Sequence, residues 1–526
     1  MTHPDQGSGR GSAASVAYAG LLDGGVSRLS KTRIAIVVTA ACLVYVLIHF
    51  VTIVRSRQVW FDETFFASIA HSLSRTGEFD LAVSPLWLTS PVYLYGPVYF
   101  LIVGAIFELF GPGIVQNRLP GMLFAFALLP VVYLILRQER VRHSIAGFAC
   151  ILLALDPTFH QAMHSGRTDT TAIFFMLVGL FALLRSRDTD GRSSVWWSVG
   201  SGISSALAVL TTPRPGYMLI AMGLILLARW YRQRSRDAAV QLFAWGATFA
   251  CVYAIWVAYA FGNIGAMLGY YSGFAEEYTG GAGIRLVHLP LLSTVGALLV
   301  LVVARAPRRA LDELTVFSLL AVAGFYMFVK STTTFGALYA FLMIPPAYLA
   351  LANLVSAWVE VGTDERRTRL VWYGGFGLLL LLNVSAFLAR SALEVAEWER
   401  RDPAVAEDVI RHVVPRNSRV VGDEQFYFAV LGSGSDFQYI ERGGTLSERV
   451  SYHRDVYQFD YLITNRGGDS EIVQAYMRAV PLEKVAEIPA SPTTRLAKVV
   501  VSIGRWFGLS NSLMSGYDGT IFARAR

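Results

Sequence analysis

The feature that most restricts this chain is a succession of apolar runs, each separated from the next by a short polar connection. They lie near residues 34–54, 119–136, 145–160, 169–184, 195–212, 216–228, 239–261, 287–304, 314–329, 335–358 and 370–389, and each approaches the roughly 20 residues that a bilayer core requires. A backbone in lipid must satisfy its own hydrogen bonds, so each run reads as a helix and about eleven crossings are expected. Composition agrees: of 526 residues only 16% are charged, with 54% hydrophobic and a mean hydropathy of +0.46, whereas soluble domains carry about 25% charge. A soluble nucleic-acid binder is excluded, because the net charge of +7 is modest and the arginines sit between apolar runs rather than on one face. Cys42, Cys150 and Cys251 all lie inside apolar runs and read as small core hydrophobes, not as a disulfide framework.

The connections orient the chain. Arg137/Arg140/Arg142, Arg185/Arg187/Arg192, Arg229/Arg232/Arg234/Arg236, Arg305/Arg308/Arg309 and Arg366/Arg367/Arg369 fall on every second connection, while the alternate short ones carry single cations, Arg167, Arg214, Arg285 and Lys330. The positive-inside rule then places the clusters and the N-terminus in the cytoplasm and the C-terminus outside an inner or plasma membrane. Residues 1–32, rich in Gly and Ser, read as a disordered cytoplasmic tail. Residues 33–390 form the membrane module.

Within that module, residues 55–118 form one long outer loop with two expected interfacial helices. The first is the amphipathic Asp62 to Arg75, and the second is the short apolar run from Gly96 to Gly111. Beyond Arg390 charges recur every few residues, so 391–526 is expected to be a small soluble extracytoplasmic α/β domain. It has a helix over Pro403 to Val414 and strands at Arg419–Gly422, Tyr427–Leu431, Phe437–Ile440 and Asp460–Thr464. Gly432-Ser433-Gly434 lacks the third glycine of a dinucleotide fingerprint and reads as a turn. The fold class is therefore all-α polytopic with a small α/β tail.

Several polar residues stand out on the outer side. Asp62-Glu63 opens the first interfacial helix behind Trp60-Phe61, as either a general base beside an acceptor or a simple helix cap. Asp169 returns a second acid to the same side, next to Arg167, as an acid/base partner, a divalent-ion ligand or a surface ion pair. His160 and His164 at i, i+4 offer a metal half-site, although His164 facing the cavity of Asp169 is the simpler reading; a divalent metal ion is thus a candidate cofactor and no other is implied. Arg214, flanked by Thr211, Thr212 and Pro213, and Lys330, before Ser331 to Thr334, suit a lipid phosphate or snorkelling to headgroups. Glu276-Glu277 with Tyr270, Tyr271 and Tyr278 could form a sugar-binding lid or part of the aromatic belt.

Taken in order, Trp60-Phe61-Asp62-Glu63, Tyr95-Gly96-Pro97-Val98-Tyr99-Phe100, Arg118-Leu119-Pro120, Arg167-Thr168-Asp169 and Thr211-Thr212-Pro213 resemble the GT-C glycosyltransferases. The nearest group is that of the protein O-mannosyltransferases and the lipid A aminoarabinose transferases. The resemblance covers residues 34–390 and leaves out the tail. It implies a sugar donor linked to polyprenyl phosphate, a lipid, glycan or protein acceptor, and inversion at the sugar. By the same resemblance Asp62, with Glu63, sits at the acceptor, Asp169 is the second acid, and Arg214 and Lys330 hold the carrier phosphate. Arg167, His164, Tyr95 and Glu276 complete the expected substrate contacts. The pattern departs where Gly96-Pro97 replaces a frequent Pro-Pro, and where Lys330 is followed by Phe341-Leu-Met-Ile344-Pro345. The chain has no glycine-rich phosphate loop, as suits a lipid-linked donor. The competing readings are a polytopic transporter, which needs charges at mid-membrane depth, and a non-catalytic cell-envelope assembly protein acting through its tail.

Overall fold

The computed structural model describes residues 28–88, 91–277, 288–306, 311–328, 339–361, 374, 376–506 and 516–525. The chain divides into two units, Met1–Ile53 and Val54–Arg526. The first contributes one described helix, Arg28–Thr52, whose Ile36, Val37, Leu43 and Leu47 are all exposed.

The second unit is a helical bundle joined to a small mixed sheet. Among the described residues five helices are long and apolar enough to cross a membrane: Ile114–Gln138, Asp169–Arg187, Arg236–Phe261, Ala340–Glu360 and Gly377–Ala396. His143–Leu155 and Pro157–Met163 make a sixth if the pair, bent by 64°, is one span. The expectation of eleven spans is therefore not met. Pro97–Phe110, Leu289–Arg305 and Glu313–Met327 are apolar but short, and Gly191–Val209 spends much of its length on serine.

Those serines have a packing reason. Ser201 Oγ donates to Gly179 O at 2.7 Å, and a Cβ on Gly202 would meet Trp245 O at 2.5 Å. Small residues thus let the backbones of Asp169–Arg187, Gly191–Val209 and Arg236–Phe261 approach closely, which is how helices hold together where lipid is as apolar as leucine.

The loop over residues 55–118 contains two helices, Phe61–Thr76 and Pro97–Phe110. In the first, Phe61, Phe65, Phe66, Ile69 and Ala70 are buried at helical spacing, Asp62 and Glu63 occupy the first turn, and Gly77 ends it at φ 77° with its N–H on Leu73 O. Acidic residues there complement the helix dipole, and glycine takes the left-handed cap without strain.

In the tail, strands β1 (Arg419–Gly422), β2 (Asp436–Tyr439), β3 (Tyr461–Thr464), β4 (Leu482–Ile488) and β5 (Gly519–Arg524) form one sheet in the order β2-β1-β3-β5-β4. The first three are parallel and the last two antiparallel to their neighbours. Three of the four expected strands are present. Tyr427–Leu431, expected as a strand, lies in a helix, Tyr427–Gly432. Its run of apolar residues is buried on all sides, and so short a run has no period to separate the two states.

The sheet shares a core with the outer loop. Phe61, Phe65 and Tyr95 pack with Phe426, Tyr427, Phe437 and Tyr439 in one buried cluster. Thr64 Oγ1 and Tyr439 Oη are 2.6 Å apart, and Tyr439 N donates to Val83 O at 2.8 Å.

On the other face of the sheet His453 is buried, with Nδ1 2.5 Å from Tyr476 Oη. Burial, aided by Arg449, lowers its pKa to about 4. The unfolded chain therefore binds the extra proton between about pH 6.5 and pH 4, and stability falls as pH drops through that window. His453→Gln is expected to flatten this acid limb of the unfolding curve, removing up to about 3 kcal/mol of pH dependence, as followed by denaturation of the purified chain at pH 7 and pH 4.

Candidate active site

The loop between Met163 and Asp169 and the start of helix Phe61–Thr76 meet around a set of charges. Glu63 is fully buried. Its carboxylate receives Arg118 Nε at 3.0 Å, Arg118 Nη2 at 2.8 Å and Gly166 N at 3.1 Å. Arg118 also donates to Val54 O at 3.2 Å and Arg57 O at 3.1 Å. A planar guanidinium is thus used as a bracket that ties the chain before Trp60 to the helix after it. Gly166 is needed at this point, because a Cβ there would run into the side-chain amide of Asn117.

Arg167 is the hub. It pairs with Asp62 through Nη1, and its Nε donates to Asp169 Oδ2 at 2.7 Å. Asp169 Oδ1 lies 3.6 Å from Arg214 Nη1. Arg214 Nη2 in turn donates to Tyr95 Oη at 2.7 Å and Tyr339 Oη at 3.3 Å. The backbone delivers these two ends together: Val98 N donates to Leu210 O at 3.2 Å, and a Cβ on Gly96 would overlap that same carbonyl. Glycine in place of the first proline of a Pro-Pro pair is therefore what allows Tyr95 to reach Arg214.

The electrostatics are set by these neighbours. Burial opposes charge on Arg214, but Tyr339, Tyr95 and Asp169 outweigh it, so its pKa lies above the ordinary arginine value. Burial raises Tyr95. Tyr339 is also raised by burial, yet Arg214 and Arg167 more than offset this and its pKa falls below the ordinary phenol value. Of the three acids only Asp62 is open to a substrate, its side chain 16% exposed against 0% for Glu63 and 2% for Asp169.

Asp62, Glu63, Asp169, Arg167, Arg214 and Tyr95, expected from the sequence, thus converge. His164 is buried, with Nδ1 3.2 Å from His160 O and the two rings 4.5 Å apart. His160 Nε2 lies 3.6 Å from Glu394 Oε1, so the nearest acid to the histidine pair comes from the last apolar helix. Lys330 and the Glu276 side chain lie outside the described residues. Sequence reasoning missed Arg57, Arg118 as the partner of Glu63, and Tyr339. The first two have a visible signal in cations placed where the outer loop meets apolar runs; Tyr339 has none.

Residues 91–258 match the family model described as dolichyl-phosphate-mannose-protein mannosyltransferase. ArnT from Cupriavidus metallidurans matches in its apo structure with TM-score 0.58 and 14% identity, over 94% of this chain and 98% of that one. The structure of that protein bound to undecaprenyl phosphate matches with TM-score 0.59 and 14% identity, over 93% and 98%. The chain thus shares the fold of ArnT. No curated protein matches the sequence significantly. The likeness to ArnT covers 94% of the chain and so takes in the tail, which the resemblance drawn from motifs had left out.

Within this fold the two neighbouring acids have separable roles. Glu63→Gln strands the buried Arg118 guanidinium and is expected to cost about 3–5 kcal/mol of stability, whereas Asp62→Asn, at a part-exposed site, is expected to stay within about 1 kcal/mol of the parent. Thermal unfolding of both variants in the same detergent measures the difference.

Proposed function

We propose that the chain is an integral-membrane glycosyltransferase that moves a sugar from a polyprenyl-phosphate carrier to an acceptor outside the cytoplasm. One observation carries the reading. The most exposed of the three site carboxylates, Asp62, is joined through Arg167 and Asp169 to the cation Arg214 in a GT-C-like fold. The ArnT structure with bound undecaprenyl phosphate supports a lipid-linked donor, and the arginine clusters on alternate connections support a cytoplasmic N-terminus and an exported tail.

In this reading the donor phosphate rests against Arg214, with Tyr95 and Tyr339 as further donors and Lys330 as a further cation. The acceptor hydroxyl is held at Asp62. Its oxygen attacks the anomeric carbon from the face opposite the phosphate, and its proton passes to the Asp62 carboxylate. The bond from the anomeric carbon to the phosphate oxygen breaks, its electron pair stays on the phosphate, and the charge formed there is met by Arg214. The configuration inverts. Asp169 takes no proton; it holds Arg167 and Arg214 apart and in register. Glu63 acts through Arg118 by fixing the helix turn that presents Asp62.

Against a transporter, the charges of this site, Asp62, Arg167, Asp169 and Arg214, lie in loops and first turns of helices. Asp62→Asn is expected to lower transfer from radiolabelled polyprenyl-phosphate sugar in liposomes by at least about 100-fold, the usual worth of a positioned base, with the variant inserted and folded as the parent is. Unchanged turnover would remove Asp62 from the mechanism.

A further inference from the structure

Six arginines are buried among the described residues: Arg57, Arg118, Arg167, Arg229, Arg390 and Arg401. Five have a carboxylate within ion-pair reach: Arg118 has Glu63, Arg167 has Asp62 and Asp169, Arg229 has Glu313, Arg390 has Glu394, and Arg401 has Glu397. Among the described residues Arg57 has none. It is 2% exposed, and its Nε and Nη1 have no hydrogen-bond partner. A guanidinium in that state is costly, because nothing replaces the water it lost.

Its surroundings make the cost greater. The Arg57 guanidinium lies over the Trp60 ring at 4.4 Å, and Arg167 shares that ring at 5.6 Å. Arg167 then lies over Tyr339 at 4.8 Å, and Arg214 over Tyr339 at 4.2 Å. The result is a row in which three cations alternate with two aromatic rings. Asp62 and Asp169 serve the middle and the Arg214 end; among the described residues no carboxylate comes within ion-pair reach of the Arg57 end. Burial drags the Arg57 pKa from the ordinary arginine value down to about 9, with Glu63 opposing and Arg118, Arg390 and Arg167 adding to the fall. Cation–aromatic stacking orients such a group but does not neutralise it.

We propose that Arg57, held on Trp60 two residues before Asp62, is an oxyanion-binding subsite at the opposite end of the cation row from Arg214, and that it receives a phosphate or carboxylate borne by a substrate. The inference deepens the transferase reading. If Arg214 holds the phosphate of the carrier, the Arg57 end is free to orient a charged group on the acceptor beside the base, which makes an anionic acceptor the preferred class. The same chemistry could instead come from a second contact with the carrier phosphate, and the experiment separates the two.

The test is ligand-induced thermal shift of the full chain in detergent, with inorganic phosphate and undecaprenyl phosphate as probes. The parent is expected to show a saturable rise in Tm with phosphate. Arg57→Met is expected to lose that rise while its ligand-free Tm stays level or climbs by about 2 °C or more, because an uncompensated buried charge has been removed. Arg57→Lys, a point charge without the fork, is expected to keep the rise with about tenfold weaker half-saturation. Loss of the undecaprenyl phosphate response in Arg57→Met assigns the oxyanion to the carrier, and its retention assigns it to the acceptor; both support the subsite. A phosphate response of equal size in the parent and Arg57→Met, or none in the parent, overturns it. Should Arg57→Met not fold, Arg57→Lys decides, since unchanged half-saturation overturns the proposal. Binding is read here and turnover at Asp62, so either reading can fail while the other stands.

Discussion

Compensation of buried charge is the constraint on which the site depends. Glu63 and Arg118 lie at zero exposure, where an isolated ion of either sign would be prohibitive, and they are tolerable only because the fork of one meets both oxygens of the other. That pair is itself out of a substrate's reach. It clamps the segment before Trp60 against the first turn of helix Phe61–Thr76 and against the Gly166 amide, and so sets where Asp62 and Arg167 can be. The reachable chemistry is one residue away from the unreachable brace, and the two carboxylates of Asp62-Glu63 divide the work because helical geometry turns them to different sides.

From this brace the charge chain extends through Arg167 and Asp169 to Arg214, each member held by at least two others. A network of this kind is stiff. It holds a carboxylate and a cation at set positions without asking either to move, and preorganised charge is the largest lever that the proposed transfer would have. Tyr95 and Tyr339 join it from an outer loop and from the entry to Ala340–Glu360, so segments far apart in sequence all end on one guanidinium.

Much of this could be read from the chain before any coordinates. The acids at 62, 63 and 169 and the cation at 214 announced themselves by breaking apolar runs on the sparse side of the membrane, and that signal is physical, since charge near lipid is expensive. Partnership was not readable, because Glu63 and Asp62 are chemically alike in sequence and differ only in what folds over them. Eleven spans are not confirmed among the described residues; Gly191–Val209, one of the expected spans, is the less apolar for Ser198, Ser201 and Ser205, although each of these is buried. Tyr427–Leu431 misled in the tail because a five-residue apolar run carries no period, and β4 and β5 passed unseen because β4 is largely exposed and alternates weakly.

The shared core of outer loop and tail sheet has one more consequence. Tyr439, on an edge strand of the sheet, touches both Thr64 and Val83, so the helix that carries Asp62 is supported by residues synthesised hundreds of positions later. During biogenesis the loop must wait, half-built, until translation has finished and the terminal segment docks. Evolution inherits the same bond: a relative cannot exchange its tail as an interchangeable module without rewriting the loop that leans on it, and the two must drift together.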